Sequence, residues 1–99
     1  MKVDINSVHF RSDSKLESFV TEKVNKLEQY FDGILGSEVI LKLENADGKE
    51  NKISEIKVKV PGDDLFAKKQ ASTFEEATDQ AVSALRKQLI KYKEKSKDS

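Results

Sequence analysis

Six of the twelve residues from Arg86 to Lys97 are basic, and Glu94 is the one acid among them. Lysine and arginine at that density do one kind of chemistry well: they neutralise phosphate oxygens on a polyanion. At about 100° per residue, Lys87, Lys91 and Lys95 lie along one flank of an apolar stripe, and Arg86, Lys93 and Lys97 along the other. A solvated helix end, with cations suited to its C-terminal dipole and stems that snorkel, accounts for two or three of them. It accounts less well for six in a chain otherwise rich in acids. An earlier segment adds Lys15, Lys23 and Lys26; Lys15 and Lys26 share a flank of its own apolar stripe, and Lys23 lies nearer the buried edge. Cations carried on helices suit backbone phosphates better than base edges, so such a surface reads shape rather than sequence.

The other reactive residue types do not assemble a catalytic centre. Asp63 and Asp64 sit in a turn, where aspartate hydrogen-bonds its own backbone. Glu75 and Glu76 open a helix, where the dipole favours acids, and no nucleophile–base pair accompanies either couple. His9, beside Arg11 near the end of a strand, reads as a half-buried strand or loop histidine, because no convergent partners can be argued for it. The chain has no cysteine and one histidine, which excludes a disulfide framework, a thiolate nucleophile, and Cys- or His-rich metal sites. Its four glycines, at 33, 36, 48 and 62, are too scattered for a phosphate-cradling loop. The expectation is a protein that is not an enzyme and takes no metal, cofactor or small-molecule substrate.

The elements that must position the cations can be read in order. Lys2–Phe10 alternates as a strand, with Val3 and Ile5 on one face; Val8 and Phe10 fall on the opposite parity, which predicts a bulge or irregularity near Asn6–Ser7. Ser14 and Glu17 fit a capping box. Leu16, Phe19, Val20, Val24, Leu27 and Phe31 then recur at helical spacing, so a helix is expected over 14–31, ended by Asp32-Gly33. Val39, Leu41 and Leu43 alternate in a second strand, Asn45–Gly48 reads as a turn, and Ile56, Val58 and Val60 mark a third strand. Pro61–Asp64 closes a second hairpin before a weaker fourth strand over Leu65–Ala71. Thr73–Glu76 is another capping box, opening a helix striped by Phe74, Ala77, Ala81, Leu85, Leu89 and Tyr92. The order β-α-β-β-β-α predicts an α+β fold: a four-stranded mixed sheet with both helices on one face, the first two strands parallel across a right-handed crossover.

At 99 residues this is one domain, expected over 1–95 with a short disordered polar tail over 96–99. Basic and acidic residues both number 18, so the formal charge is zero, yet residues 1–85 carry −4 and residues 86–97 carry +5. The body is slightly acidic and the carboxyl end is a basic module. Apolar runs are only a few residues long, Val39–Leu41 among them, and the amino terminus lacks the apolar core of a signal peptide. A cytoplasmic protein without membrane contact is expected.

Lys23–Asp32 (KVNKLEQYFD), followed by Val39–Glu44 (VILKLE), resembles the bacterial ribosome hibernation-promoting factor family, which includes the ribosome-associated translation inhibitor. Lys87–Lys93 (KQLIKYK) resembles that family's basic carboxyl-terminal helix, and the likeness covers essentially the whole chain. The resemblance implies a fold like a double-stranded-RNA-binding domain. It further implies binding to the small ribosomal subunit, in the 30S decoding channel where messenger and transfer RNA would sit, in 30S, 70S or 100S particles. Lys23, Lys26, Lys87, Lys91 and Lys93 match the family's basic helix positions and are the expected 16S rRNA contacts; Arg86 and Lys95 join them on charge alone. Glu75 stands where the family usually carries an aromatic, and Ala84 where it often has a lysine. The chain resembles the short form, which lacks the separate ribosome-pairing domain, and it is expected to be monomeric when free. The function implied is a steric translation inhibitor of stationary phase or stress. The rival reading is a protein-interaction module acting on transcription machinery, in keeping with an older family label, modulator of an alternative sigma factor.

Overall fold

A computed structural model of the chain describes residues 1–46 and 49–97. Strand β1 (Val3–Val8) leads into α1 (Ser14–Asn25), a 3₁₀ turn (Lys26–Gln29), β2 (Gly36–Ala46), β3 (Lys49–Val60), β4 (Asp63–Ala71) and α2 (Phe74–Lys97). The sheet runs in the order β1-β2-β3-β4. β1 is parallel to β2, and the two later pairs are antiparallel. This is the mixed α+β arrangement that the alternation and helical spacing predict.

Period-2 alternation places Val39, Leu41, Ile56, Val58, Val60, Leu65 and Ala67 on one sheet face, and all are buried. They form a single cluster with Val20, Val24 and Leu27 from the first helical segment and Phe74, Ala81, Leu85 and Leu89 from α2. Both helices therefore cover the same face. Where α2 crosses β3, the Thr78 hydroxyl donates to Ser54 Oγ at 3.2 Å, so two buried polar groups satisfy each other. The opposite face carries a ladder of charges. Lys59 and Lys57 reach Glu38 at 3.2 and 3.8 Å, and Lys42 reaches Glu55 at 3.5 Å. The Lys59 hydrogen bond, then the charges of Lys59 and Lys57, hold the Glu38 carboxyl below its ordinary pKa.

Several local details differ from the sequence expectation. No bulge interrupts β1: its register is continuous from Val3↔Ser37 to Val8↔Lys42. The change of parity comes at His9, whose φ of 68° turns the chain left-handed, a conformation histidine tolerates better than branched residues do. Phe10 then swings back to stack on Phe74, with ring centroids 4.4 Å apart. Neither β2 nor β3 stops where its apolar alternation does; pairing carries them to Ala46 and Lys49. The turn expected over Asn45–Gly48 overlaps β2 at its first two residues, and Asp47-Gly48 lie outside the described residues. Helix α2 reaches Lys97, two residues into the expected tail, and Asp98 and Ser99 lie outside the described residues. At the second hairpin, Gly62 takes a φ of 79° beside Pro61, as a tight turn there requires.

The first capping box is also displaced by one residue. Asp13, extended at φ −91° and ψ 170°, is the N-cap of α1, and its Oδ1 accepts the Leu16 amide at 2.8 Å. Ser14 is already helical, and Glu17 accepts from the Ser12 hydroxyl instead of closing a box. Asp13→Ala is expected to lower stability by about 1 kcal/mol, and Ser14→Ala by less than about 0.5 kcal/mol. Urea unfolding of the two variants checks this; the reverse ranking would move the cap back to Ser14. Thr73 does cap α2, its Oγ1 accepting the Glu76 amide at 3.0 Å. Glu76 itself accepts from the Ser72 hydroxyl at 3.3 Å, so this box is half closed.

The helix expected over 14–31 ends early, tightening into the 3₁₀ turn at Lys26. Phe31 leaves the helical path and meets Tyr92 edge-on, with centroids 5.3 Å apart. Gly33 permits this return, since a Cβ there would stand 2.7 Å from Phe31 Cζ. The Tyr92 phenol donates to the Pro61 carbonyl, which fastens the distal half of α2 to the second hairpin.

Candidate nucleic-acid interface

The first helical segment and α2 lie alongside each other on the sheet, and the predicted cations fall on both sides of the seam. Lys23, Lys26 and Tyr30 face Asp79, Ser83 and Arg86 across one open groove. Beyond Tyr30 the groove continues to Ile90 and Lys93. Asp79, Arg86 and Lys93 are seven residues apart, which is two helical turns, so a single stripe of α2 serves the whole seam.

Lys87 lies on the other flank of α2, where it lines a groove with Lys69 of β4. Lys91 and Lys95 follow Lys87 at successive i+4 positions, and both are exposed. The structure thus arranges the seven predicted residues in two rows, with the outer surface of α2 between them. One row is Lys23, Lys26, Arg86 and Lys93; the other is Lys87, Lys91 and Lys95.

The seven are not equivalent. Lys23 is half-buried, its Nζ lying 3.1 Å from Asp79 Oδ1 and 5.5 Å from the centre of the Phe19 ring. An incoming phosphate must compete with Asp79 for it. Arg86 places its guanidinium carbon 6.0 Å from the centre of the Tyr30 ring. Lys26, Arg86, Lys87, Lys91, Lys93 and Lys95 are all exposed. Helix α2, which carries all of these but Lys26, is fastened to β4, where Gln88 Nε2 donates to the Phe66 carbonyl at 2.9 Å. Two of its four acids, Glu75 and Glu76, lie in the first turn and its cations lie towards the other end, both where the helix dipole stabilises them.

Of the remaining candidates, His9 is more open than the half-buried residue expected, and Asp63 and Asp64 open β4 instead of standing in the turn. Asp63 Oδ1 accepts the Asp64 amide at 2.8 Å at the start of that strand. His9 is exposed, with Nδ1 3.3 Å from the Leu43 carbonyl oxygen. No helix among the described residues is long and apolar enough to cross a membrane.

Three residues of this surface escape the sequence reading. Lys69 has a visible signal, since it shares the parity of Leu65 and Ala67 and so faces the helices. Asp79 lies seven residues before Arg86, which marks the same stripe. Tyr30 falls outside the apolar stripe of the first helical segment, and the seam places it opposite Arg86.

The profile of the family described as sigma 54 modulation protein / S30EA ribosomal protein matches residues 3–97. The chain belongs to this family. The three segments that carry the resemblance lie within the matched span, and two of them, Lys23–Asp32 and Lys87–Lys93, contribute the two walls of the seam. The ribosome hibernation promoting factor of Escherichia coli K12 is 34% identical over 97 residues, covering 98% of each chain. That of Pseudomonas putida KT2440 is 32% identical over 95 residues, 96% of this chain and 89% of the relative. Among solved structures, a ribosomal subunit interface protein from Coxiella burnetii superposes with a TM-score of 0.84 at 22% identity, covering 94% of this chain and 98% of that one. The N-terminal domain of Thermus thermophilus Protein Y does so with a TM-score of 0.79 at 24% identity, covering 93% and 99%. At these identities the likeness to the solved structures is one of fold.

Proposed function

We propose that this protein is a ribosome hibernation factor: a non-enzymatic, cytoplasmic domain that binds the 30S subunit through 16S rRNA, in the channel used by messenger and transfer RNA. Occupancy of that channel inhibits translation and preserves idle ribosomes in stationary phase or stress. The observation that carries the reading is the gathering of seven cations into two rows on the helical side of the sheet, in a chain of zero net charge. On the opposite face, by contrast, lysines and glutamates are paired with one another. The names of the relatives point the same way. Binding of this kind is steric and electrostatic: a rigid helix presents the charges, and the folded domain excludes other occupants.

Competition tests the channel directly. 30S particles loaded with messenger and initiator transfer RNA are expected to bind the protein poorly, and by linkage the protein weakens transfer RNA binding by the same factor. Sedimentation of 30S mixtures with labelled protein reads both effects. Simultaneous, non-interfering binding of all three would refute the steric mechanism. Failure to co-migrate with 30S or 70S particles at all would favour the rival, a module acting on transcription machinery whose lysines serve solubility.

A further inference from the structure

We infer that the seam between the helices seats one unstacked nucleobase of single-stranded RNA, sandwiched between the Tyr30 ring and the Arg86 guanidinium. The inference rests on the rRNA-binding reading above and adds to it the class of RNA and the pair of residues that select it. A phenol and a guanidinium in direct stacked contact would lie about 3.5–4.0 Å apart. Here the guanidinium carbon lies 6.0 Å from the centre of the ring, wider than a stacked pair. A flat ring between them needs two such layers, about 7 Å, and a small outward swing of the exposed Arg86 side chain supplies the difference.

The surroundings fit a nucleotide and not merely a phosphate. Lys26 lines the groove on the Arg86 side of Tyr30 and Lys93 lines its continuation, both available to the flanking phosphates. Asp79 and Glu94 are the acids that those phosphates must avoid. Ile90 is 42% exposed beside Tyr30 and offers an apolar edge. Stacking is indifferent to base identity, because every base has a π-face. It does require that the face be accessible, which duplex pairing denies. Lysines alone would bind single- and double-stranded RNA through the same phosphates; the Tyr30–Arg86 pair breaks that equivalence.

The test compares a ten-nucleotide single-stranded RNA with its abasic counterpart and with a duplex of the same composition. The reporter protein carries Tyr92→Phe. The chain has two tyrosines and no tryptophan, so fluorescence in this variant comes from Tyr30. Binding of the single strand is expected to quench that fluorescence, and the abasic and duplex RNAs are expected to bind about five- to a hundred-fold more weakly. Tyr30→Leu and Arg86→Lys should bring single-strand affinity down to the abasic level, since lysine keeps the charge but loses the plane. Tyr30→Phe should retain the affinity. Equal affinity for the single strand and its abasic counterpart, or no quenching on binding, overturns the sandwich. If Tyr30→Leu fails to fold, Arg86→Lys and the abasic comparison decide alone. Loss of base dependence with ribosome co-sedimentation intact overturns this inference only; absence of both overturns the rRNA-binding reading with it.

Discussion

Lys87→Glu/Lys91→Glu is expected to lower affinity for the 30S subunit by at least about a hundred-fold, with the unfolding midpoint unchanged. Each hydrogen bond to a charged group is worth roughly 1.5–3 kcal/mol, and the new carboxylates repel the phosphates the lysines held. Two such losses exceed about 2.7 kcal/mol, which is two decades in affinity. Both side chains are exposed on the outer flank of α2, away from the core, so folding has no reason to change. The salt dependence should change in step. Losing two phosphate contacts lowers the log–log slope by about 1.4–1.8, taking the single-strand and B-form coefficients as a guide. Equilibrium binding at several salt concentrations measures affinity and slope together. Unchanged binding would remove the outer row from the interface, and an unfolded variant would contradict its placement.

Leu85→Ala is expected to act on the other ledger. Leu85 is fully buried in the cluster that joins both helices to the sheet. Truncating it removes transfer free energy and leaves a cavity, at a cost of about 2–5 kcal/mol. Domains of ordinary stability hold about 5–15 kcal/mol in all, so this one change removes a large share. Urea unfolding reads the loss, and binding per folded molecule should be preserved because the cations keep their helix. A loss below about 1 kcal/mol would mean that the helix–sheet contact tolerates the cavity by collapsing.

The two variants separate what was legible in the sequence from what was not. Leu85, Leu89 and Ala81 were readable because helical spacing leaves one face apolar. Val39, Leu41, Ile56 and Val58 were readable because strand alternation does the same with a period of two. Together with the two hairpin turns and the right-handed crossover rule, these stripes imply the mixed pairing and the shared helical face. Residues whose local chemistry allows two answers were not readable. Asp13 and Ser14 are both good N-caps, and only the backbone of Asp13, still extended, decides between them. The parity change before Phe10 required an irregularity without fixing its kind or place, and it occurs as a left-handed residue at His9. β2 and β3 outrun their apolar alternation because backbone pairing, not side-chain pattern, carries them on.

The candidate site divides in the same way. Both flanks of α2 were visible as helical rows, since Lys87, Lys91 and Lys95 repeat at four residues and Arg86 and Lys93 at seven. What lies across from each row depends on tertiary contact. Asp79 engages Lys23 from a helix 56 positions along the chain, and no local pattern connects the two. Tyr30 falls outside the apolar stripe of its segment, and the seam places it opposite Arg86, a pairing that apolar spacing does not record.

The segregation of charge on this molecule also governs how it arrives. With no net charge, it feels little overall pull from a distant polyanion. Yet residues 86–97 carry +5 and the rest of the chain the compensating −5, and α2 is a 24-residue rod that projects the positive end. Such a molecule is a large dipole, and the field of a folded RNA exerts a torque on it before contact. On the proposed rRNA-binding reading, it turns helix-side first, so a greater share of collisions begins in a productive orientation. Salt shortens the range over which that turning operates, to about 8 Å at physiological ionic strength. The speed of encounter, and not only the lifetime of the complex, is therefore tied to the ions around it.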